Sequence, residues 1–247
     1  MNKISLAEPV TLLRHVKIVD NGEPLVDFLK VCPELVMDHP RFKYRRETMV
    51  RKSVADKLCQ ANNWLMERGY RLAIVEGWRP PHIQKRMYLG TWNRFKKRHP
   101  EWSDAQLRRV ANRYTAPLHG RVPPPHSTGG AVDLVLASKD GVVQDHVSPY
   151  ENYEPKSFAF AASNLSEEAR KTRQMLWDAL TPTGMTNYPS EFWHWTYGDQ
   201  GWAYRGGHDH ALYGPITPDD YQPEPEDVNE EPFVLLDIDL DRNVLKR

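Results

Sequence analysis

His126 lies between the proline run Pro123-Pro124-Pro125 and the pair Gly129-Gly130, just before the apolar run Ala131 to Leu136. Asp133 sits inside that run, between Val132 and Leu134. An ionised carboxylate among apolar neighbours is costly unless it is paired or holds a metal. His194 has a similar setting, in Phe192-Trp193-His194-Trp195-Thr196. Two histidines and one carboxylate form a common ligand set for catalytic zinc, with a further position left open. Glu191 precedes His194 by three residues, and a carboxylate beside such a metal is the usual general base of metal-assisted hydrolysis. Taken singly, each residue also has an ordinary structural explanation, and spacing alone does not bring His126, Asp133 and His194 together.

The elements that would carry these residues can be read from periodicity. Val50, Val54, Leu58, Ala61 and Leu65 mark one face of a helix over 46–68, which Gly69 stops. Leu72 to Val75 reads as a buried strand ending in Glu76-Gly77-Trp78-Arg79-Pro80-Pro81, where glycine and paired prolines force a loop. Residues 131–136 read as a central strand, on which Asp133 shares a face with Ala131 and Val135. Helices are expected over 82–99, over 103–114 with Ser103 and Gln106 as a capping box, and over 166–180. A strand is expected over Val10 to Val19. The order lacks regular βαβ alternation, so the expected class is α+β, with a central, mostly antiparallel sheet flanked by helices. Proline and acidic residues dominate after Pro215, which sets off 216–247 as an acidic C-terminal extension of a domain over 1–215.

Composition narrows the function. Lys plus Arg and Asp plus Glu are both 33 in 247 residues, a net charge of zero. Nucleic-acid and anionic-membrane binding call for a basic excess, so neither partner is expected. The run Arg94-Phe95-Lys96-Lys97-Arg98 reads first as a solvated helix face. No apolar stretch is long enough to span a membrane, and the N-terminus does not read as a secretory signal. The only cysteines, Cys32 and Cys59, make no disulfide framework. A reducing cytoplasm is the expected compartment.

The combination is more specific than its parts. His126 to Asp133 fits H-x-x-G-x-A-x-D, and Glu191 to His194 fits E-x-W-H. In this order they resemble the zinc D,D-peptidases related to the Hedgehog fold, and within them the D-alanyl-D-alanine dipeptidase family. Gly77-Trp78-Arg79-Pro80 is similar to that family's Y-R-P segment, and the resemblance runs from about Val50 to Pro215. It implies one Zn²⁺ held by His126, Asp133 and His194, with Glu191 as general base. It also implies that Arg79 binds the carbonyl oxygen that becomes negative, a task suited to a permanent charge with donors in a fixed fork.

In that family a carboxylate in a segment like M-G-T-x-F-D receives the substrate's amino terminus. The corresponding stretch here implies Ser148, Tyr150 and Glu151 as substrate-binding residues. Pro124 stands two residues before the first ligand, where the family usually has serine. Both departures touch substrate recognition and leave the metal ligands and base intact. The expected activity is hydrolysis of D-Ala-D-Ala or a similar small D,D-dipeptide. The alternatives are a D,D- or L,D-carboxypeptidase on peptidoglycan peptides, or a non-catalytic zinc-binding module of the same fold. Retention of Glu191 and Arg79 argues against the last.

Overall fold

The computed structural model describes residues 8–38, 44–112, 114–117, 120–150, 155–225 and 227–228. Five strands form the main sheet: β1 (Val36–Met37), β2 (Tyr70–Glu76), β3 (Ala131–Ser138), β4 (Thr186–Asn187) and β5 (His194–Thr196). Their order is β1-β2-β3-β5-β4. Only the β1–β2 pairing is parallel. The α+β class with a mostly antiparallel sheet is therefore as expected.

Alternation along β3 sends Val132, Leu134 and Leu136 to one face. There, with Leu72 and Ile74, they pack against α1 (Lys52–Met66) and α4 (Glu167–Leu180) through Val54, Leu58, Leu65 and Leu176. Burying each such side chain contributes about 1.5–3 kcal/mol, so this face is the main anchor of the sheet. The other face carries Ala73, Val75, Val135 and Ala137 beneath Phe192 and Trp193. Asp133 belongs to that second face, where the apolar cover stops.

Two further helices, α2 (Pro81–Arg98) and α3 (Asp104–Ala111), pack on each other. Pro81 opens α2, where a missing backbone N–H costs nothing. The capping box of Ser103 and Gln106 opens α3. A last helix, α5 (Gln200–Gly206), follows β5. None of the described helices is long and apolar enough to cross a membrane.

Two local expectations fail. The helix expected from Arg46 begins at Lys52, because Val50 pairs with Val26 in the antiparallel ladder Leu25–Asp27 with Met49–Arg51. The strand expected over Val10 to Val19 is a helical turn, Val10–Leu13, followed by the two-residue strand Lys17–Ile18. Gln200 on α5 donates from Nε2 to the carbonyls of Leu13 (3.1 Å) and Val16 (2.7 Å), so a tertiary contact fixes the turn.

Arg173 on α4 is 2% exposed and ties His146 and the stretch Ser157 to Phe160 to the core. Its guanidinium donates to the carbonyls of His146 (2.8 Å), Ser157 (2.6 Å), Ala159 (2.6 Å) and Phe160 (3.0 Å), and lies 4.1 Å from the centre of the Phe192 ring. Arg173→Met leaves those carbonyls without their cation. The expected cost is about 3 kcal/mol, which for a chain of this size lowers Tm by about 6–12 °C. Thermal unfolding checks this, and an unchanged Tm would contradict it.

Candidate active site

The metal-ligating candidates converge because neighbouring strands hold two of them opposite each other. Asp133 on β3 pairs in register with His194 on β5, and His194 Nδ1 lies 2.9 Å from Asp133 Oδ1. His126 arrives from the 3-10 turn Pro125–Thr128 just before β3. Gly129 ends that turn at φ +70°, a conformation glycine adopts without strain. His126 Nε2 lies 3.4 Å from the same Asp133 oxygen. One donor atom from each of the three residues falls within 4.8 Å of the others.

The fit to zinc can be tested on this geometry. Zinc bonds of about 2.0–2.1 Å in a tetrahedron separate neighbouring ligand atoms by about 3.4 Å. The separations of 2.9 and 3.4 Å from Asp133 Oδ1 are close to that edge. His126 Nδ1 lies 2.8 Å from the Gly77 carbonyl. That contact makes Nδ1 the donor and leaves the Nε2 lone pair for the metal. Gly77 is required for this approach, since a Cβ there would sit 2.7 Å from the Met49 carbonyl oxygen. The residues present fit the ion.

Ligand histidines usually donate their other ring nitrogen to a carboxylate or a carbonyl, and for His126 the Gly77 carbonyl fills that place. The acidic residues nearest His194 in the downstream sequence have other settings. Asp199 caps α5 by accepting from the Trp202 amide at 2.7 Å, and Asp209 is exposed.

Arg79 approaches from the loop after β2, and its position depends on a residue that the sequence patterns did not single out. Leu72 and Ile74 face the main core, so strict alternation would put Glu76 there too. A register shift between Ile74 and Glu76 bulges the strand and places Glu76 opposite Asp133. Such a bulge re-aims the side chains that follow it. Glu76, 4% exposed, then grips Arg79: Nε donates to Oε1 at 2.9 Å and Nη2 to Oε2. The Tyr44 hydroxyl donates to Glu76 Oε1. Arg79 Nη1 donates to Gln84 Oε1 (2.8 Å), and Gln84 Nε2 donates to the Ala116 carbonyl (2.6 Å). A guanidinium has five N–H groups, so these three bonds leave two for a ligand.

The electrostatics keep this set charged. Burial alone would raise the Asp133 carboxyl, but the charge and hydrogen bond of His126, then those of His194, hold it well below the usual carboxylate range. Burial would also raise Glu76, and the Arg79 guanidinium outweighs it, so Glu76 is lowered. Burial works against the Arg79 charge, but Glu76 more than compensates and raises its pKa. Burial and the charge of Glu76 push the Tyr44 phenol well up, so it stays a hydrogen-bond donor.

One cavity of about 1640 Å³ is lined by His126, Asp133, His194, Arg79 and Glu191. Glu191 is set by its backbone: its N–H donates to the Tyr188 carbonyl (2.9 Å), and its carbonyl accepts from the amides of His194 (3.2 Å) and the Asn187 side chain (3.0 Å). Pro124 also lines the cavity. Two of the expected substrate-binding residues, Ser148 and Tyr150, make contacts of their own. Ser148 donates its backbone N–H to Asp145 Oδ1 (3.0 Å), and Tyr150 donates its hydroxyl to the Ser163 carbonyl (2.6 Å). Neither lines the cavity. Glu151 lies outside the described residues.

Three candidate metal ligands, a carboxylate and an arginine around one cavity suit a metallopeptidase. The chain belongs to the Peptidase_M15 family, described as D-Ala-D-Ala dipeptidase, which matches residues 31–211. A D-alanyl-D-alanine dipeptidase of Synechocystis sp. is 24% identical over 246 residues, covering 86% of this chain and all of that protein. Among solved structures, the vancomycin-resistance D,D-pentapeptidase VanY with Zn(II) is 13% identical, covering 71% of this chain and 94% of its own, with a TM-score of 0.41. The LD-carboxypeptidase LdcB is 17% identical, with coverage of 84% and 89% and a TM-score of 0.39.

Proposed function

We propose that the protein is a zinc-dependent dipeptidase that hydrolyses D-Ala-D-Ala or a similar small D,D-dipeptide. The observation that carries this reading is the convergence of His126, Asp133 and His194 in a cavity also lined by Glu191 and Arg79, in a chain of the D-Ala-D-Ala dipeptidase family. Zinc, when bound, supplies a Lewis acid for the scissile carbonyl and lowers the pKa of water. Glu191 takes the proton from the attacking water and later gives it to the leaving amine. Arg79 donates its free N–H groups to the carbonyl oxygen as negative charge develops there. Glu76 and Gln84 fix the plane of that guanidinium, so little reorganisation is needed at the moment of reaction. The free thiols Cys32 and Cys59 suit a reducing compartment such as the cytoplasm. Burial, then Cys59, pushes the Cys32 thiol up to about 12, so it stays neutral.

The second reading is a carboxypeptidase on longer peptidoglycan stems. Cavity size favours it, since 1640 Å³ exceeds the roughly 300–1,000 Å³ of most small-ligand clefts. Comparing D-Ala-D-Ala with its N-acetyl derivative separates the two. The dipeptidase reading expects D-alanine release from the free dipeptide, lowered at least about a hundredfold by acetylation, because a site built for the ammonium is left unpaired. Equal or faster cleavage of the acetylated substrate would select the carboxypeptidase.

A further inference from the structure

Residues 216–225 and 227–228 have no place in the chemistry above, yet they stay on the body of the protein. The Ile216 N–H donates to the Ser127 carbonyl at 2.9 Å, and its own carbonyl accepts from Trp78 Nε1 at 2.9 Å. The Tyr221 ring meets Trp78 edge-on, 5.0 Å between centres at 89°, and stacks on His82 at 6.0 Å and 24°. Arg86 on α2 donates from Nη1 to the Asp227 carbonyl at 3.1 Å and lies 3.4 Å from its Oδ1. Both side chains are nearly enclosed, at 10% and 9% exposure. The Arg45 N–H donates to Asp227 Oδ2 at 3.2 Å, and the Arg45 guanidinium pairs with Glu224.

These contacts share a pattern. Ser127 is next to His126, Trp78 is next to Arg79, and Arg45 is next to Tyr44, which bonds Glu76. None of Ile216, Tyr221 and Asp227 lines the cavity. The segment therefore reaches the site only through its supports. Two of its grips fall on the supports of Arg79: the loop that carries it, through Trp78, and the chain beside the Tyr44–Glu76 pair, through Arg45. An ion pair as enclosed as Arg86–Asp227 is costly to form unless both charges are satisfied, and here it fixes the far end of the strap on α2.

We propose that residues 216–225, with Asp227 beyond them, form a strap that positions Arg79 for the reaction, with Tyr221 as its central positioning residue. The inference rests on the assigned role of Arg79. A strap of this kind acts on the placement of a transition-state donor, so it acts on turnover more than on substrate affinity or metal content. The Tyr221 ring makes the contact, so phenylalanine replaces it.

The test is steady-state kinetics on D-Ala-D-Ala with the full-length zinc protein, with zinc per chain measured on each sample. Tyr221→Ala is expected to lower kcat about tenfold, with KM within about twofold and zinc unchanged, since small misplacements of a catalytic group are costly. Tyr221→Phe is expected to retain wild-type kcat. Asp227→Asn, which keeps the shape and loses the charge, is expected to lower kcat about threefold. In an Arg79→Ala background, Tyr221→Ala is expected to add less than about twofold, because the two changes remove one function. Wild-type kcat in both Tyr221→Ala and Asp227→Asn would overturn the strap. So would a loss that tracks zinc, or a full tenfold further loss in the Arg79→Ala background. Normal turnover of Arg79→Ala alone would instead overturn the role of Arg79. A slow Arg79→Ala enzyme beside silent strap variants would leave that role standing and remove the strap.

Discussion

Glu191→Gln is expected to leave one zinc per chain and to lower kcat on D-Ala-D-Ala by about a thousandfold, within the range that general acid–base catalysis supplies. Glutamine keeps the shape and the backbone hydrogen bonds of residue 191. It removes the carboxylate that would accept a proton from water and return it to the amine. The ligands His126, Asp133 and His194 are untouched, so metal content separates this effect from loss of the site. Zinc analysis and kinetics on the same preparation make the check. Near-normal turnover would mean that another group is the base.

Arg79→Ala is expected to lower kcat by about a hundredfold to a thousandfold, the usual consequence of removing one oxyanion donor. The loss has a second component. Glu76 is buried opposite Asp133, and Arg79 is what keeps it ionised there. Without that partner a buried carboxylate is left uncompensated, a change that costs about 3–5 kcal/mol when such a pair is broken. The variant should therefore also be less stable. Arg79→Lys retains a charge but lacks the fork that engages Glu76 and Gln84 together, so its kcat should fall between those of wild type and Arg79→Ala. Kinetics and thermal unfolding of the two variants test both effects. An Arg79→Ala enzyme within about threefold of wild type would contradict a donor worth that much.

Part of the candidate metal site was legible in short motifs, but the meeting of His194 with Asp133 rests on a strand pairing that spacing does not show. The seven-residue step from His126 to Asp133 spans one turn, a left-handed glycine and the first residues of β3. The main core was legible for the same reason, since Val54, Leu58, Ala61 and Leu65 and the apolar side of β3 follow helix and strand periods. Glu76 was not, because its placement depends on a bulge that breaks the period from which strand faces are read. A signal existed, however. A carboxylate closing an apolar strand three residues before an arginine needs a buried cation, and Arg79 is the nearest one. The turn at Val10–Leu13 and the placement of Ile216 are set by contacts with Gln200 and Trp78, far away in sequence. Composition marks the acidic extension after Pro215 but shows none of these contacts.

The central claim is that one zinc, held by His126, Asp133 and His194, supports hydrolysis of D-Ala-D-Ala. The most direct measurement is alanine release by purified protein, with zinc per chain determined before and after treatment with a chelator. The account predicts about one zinc per chain and turnover that disappear together and return together when zinc is restored, as expected where metal affinity rests on deprotonated ligands in a folded site. Turnover that persists in metal-free protein would contradict it, and so would a chain that binds no zinc and releases no alanine.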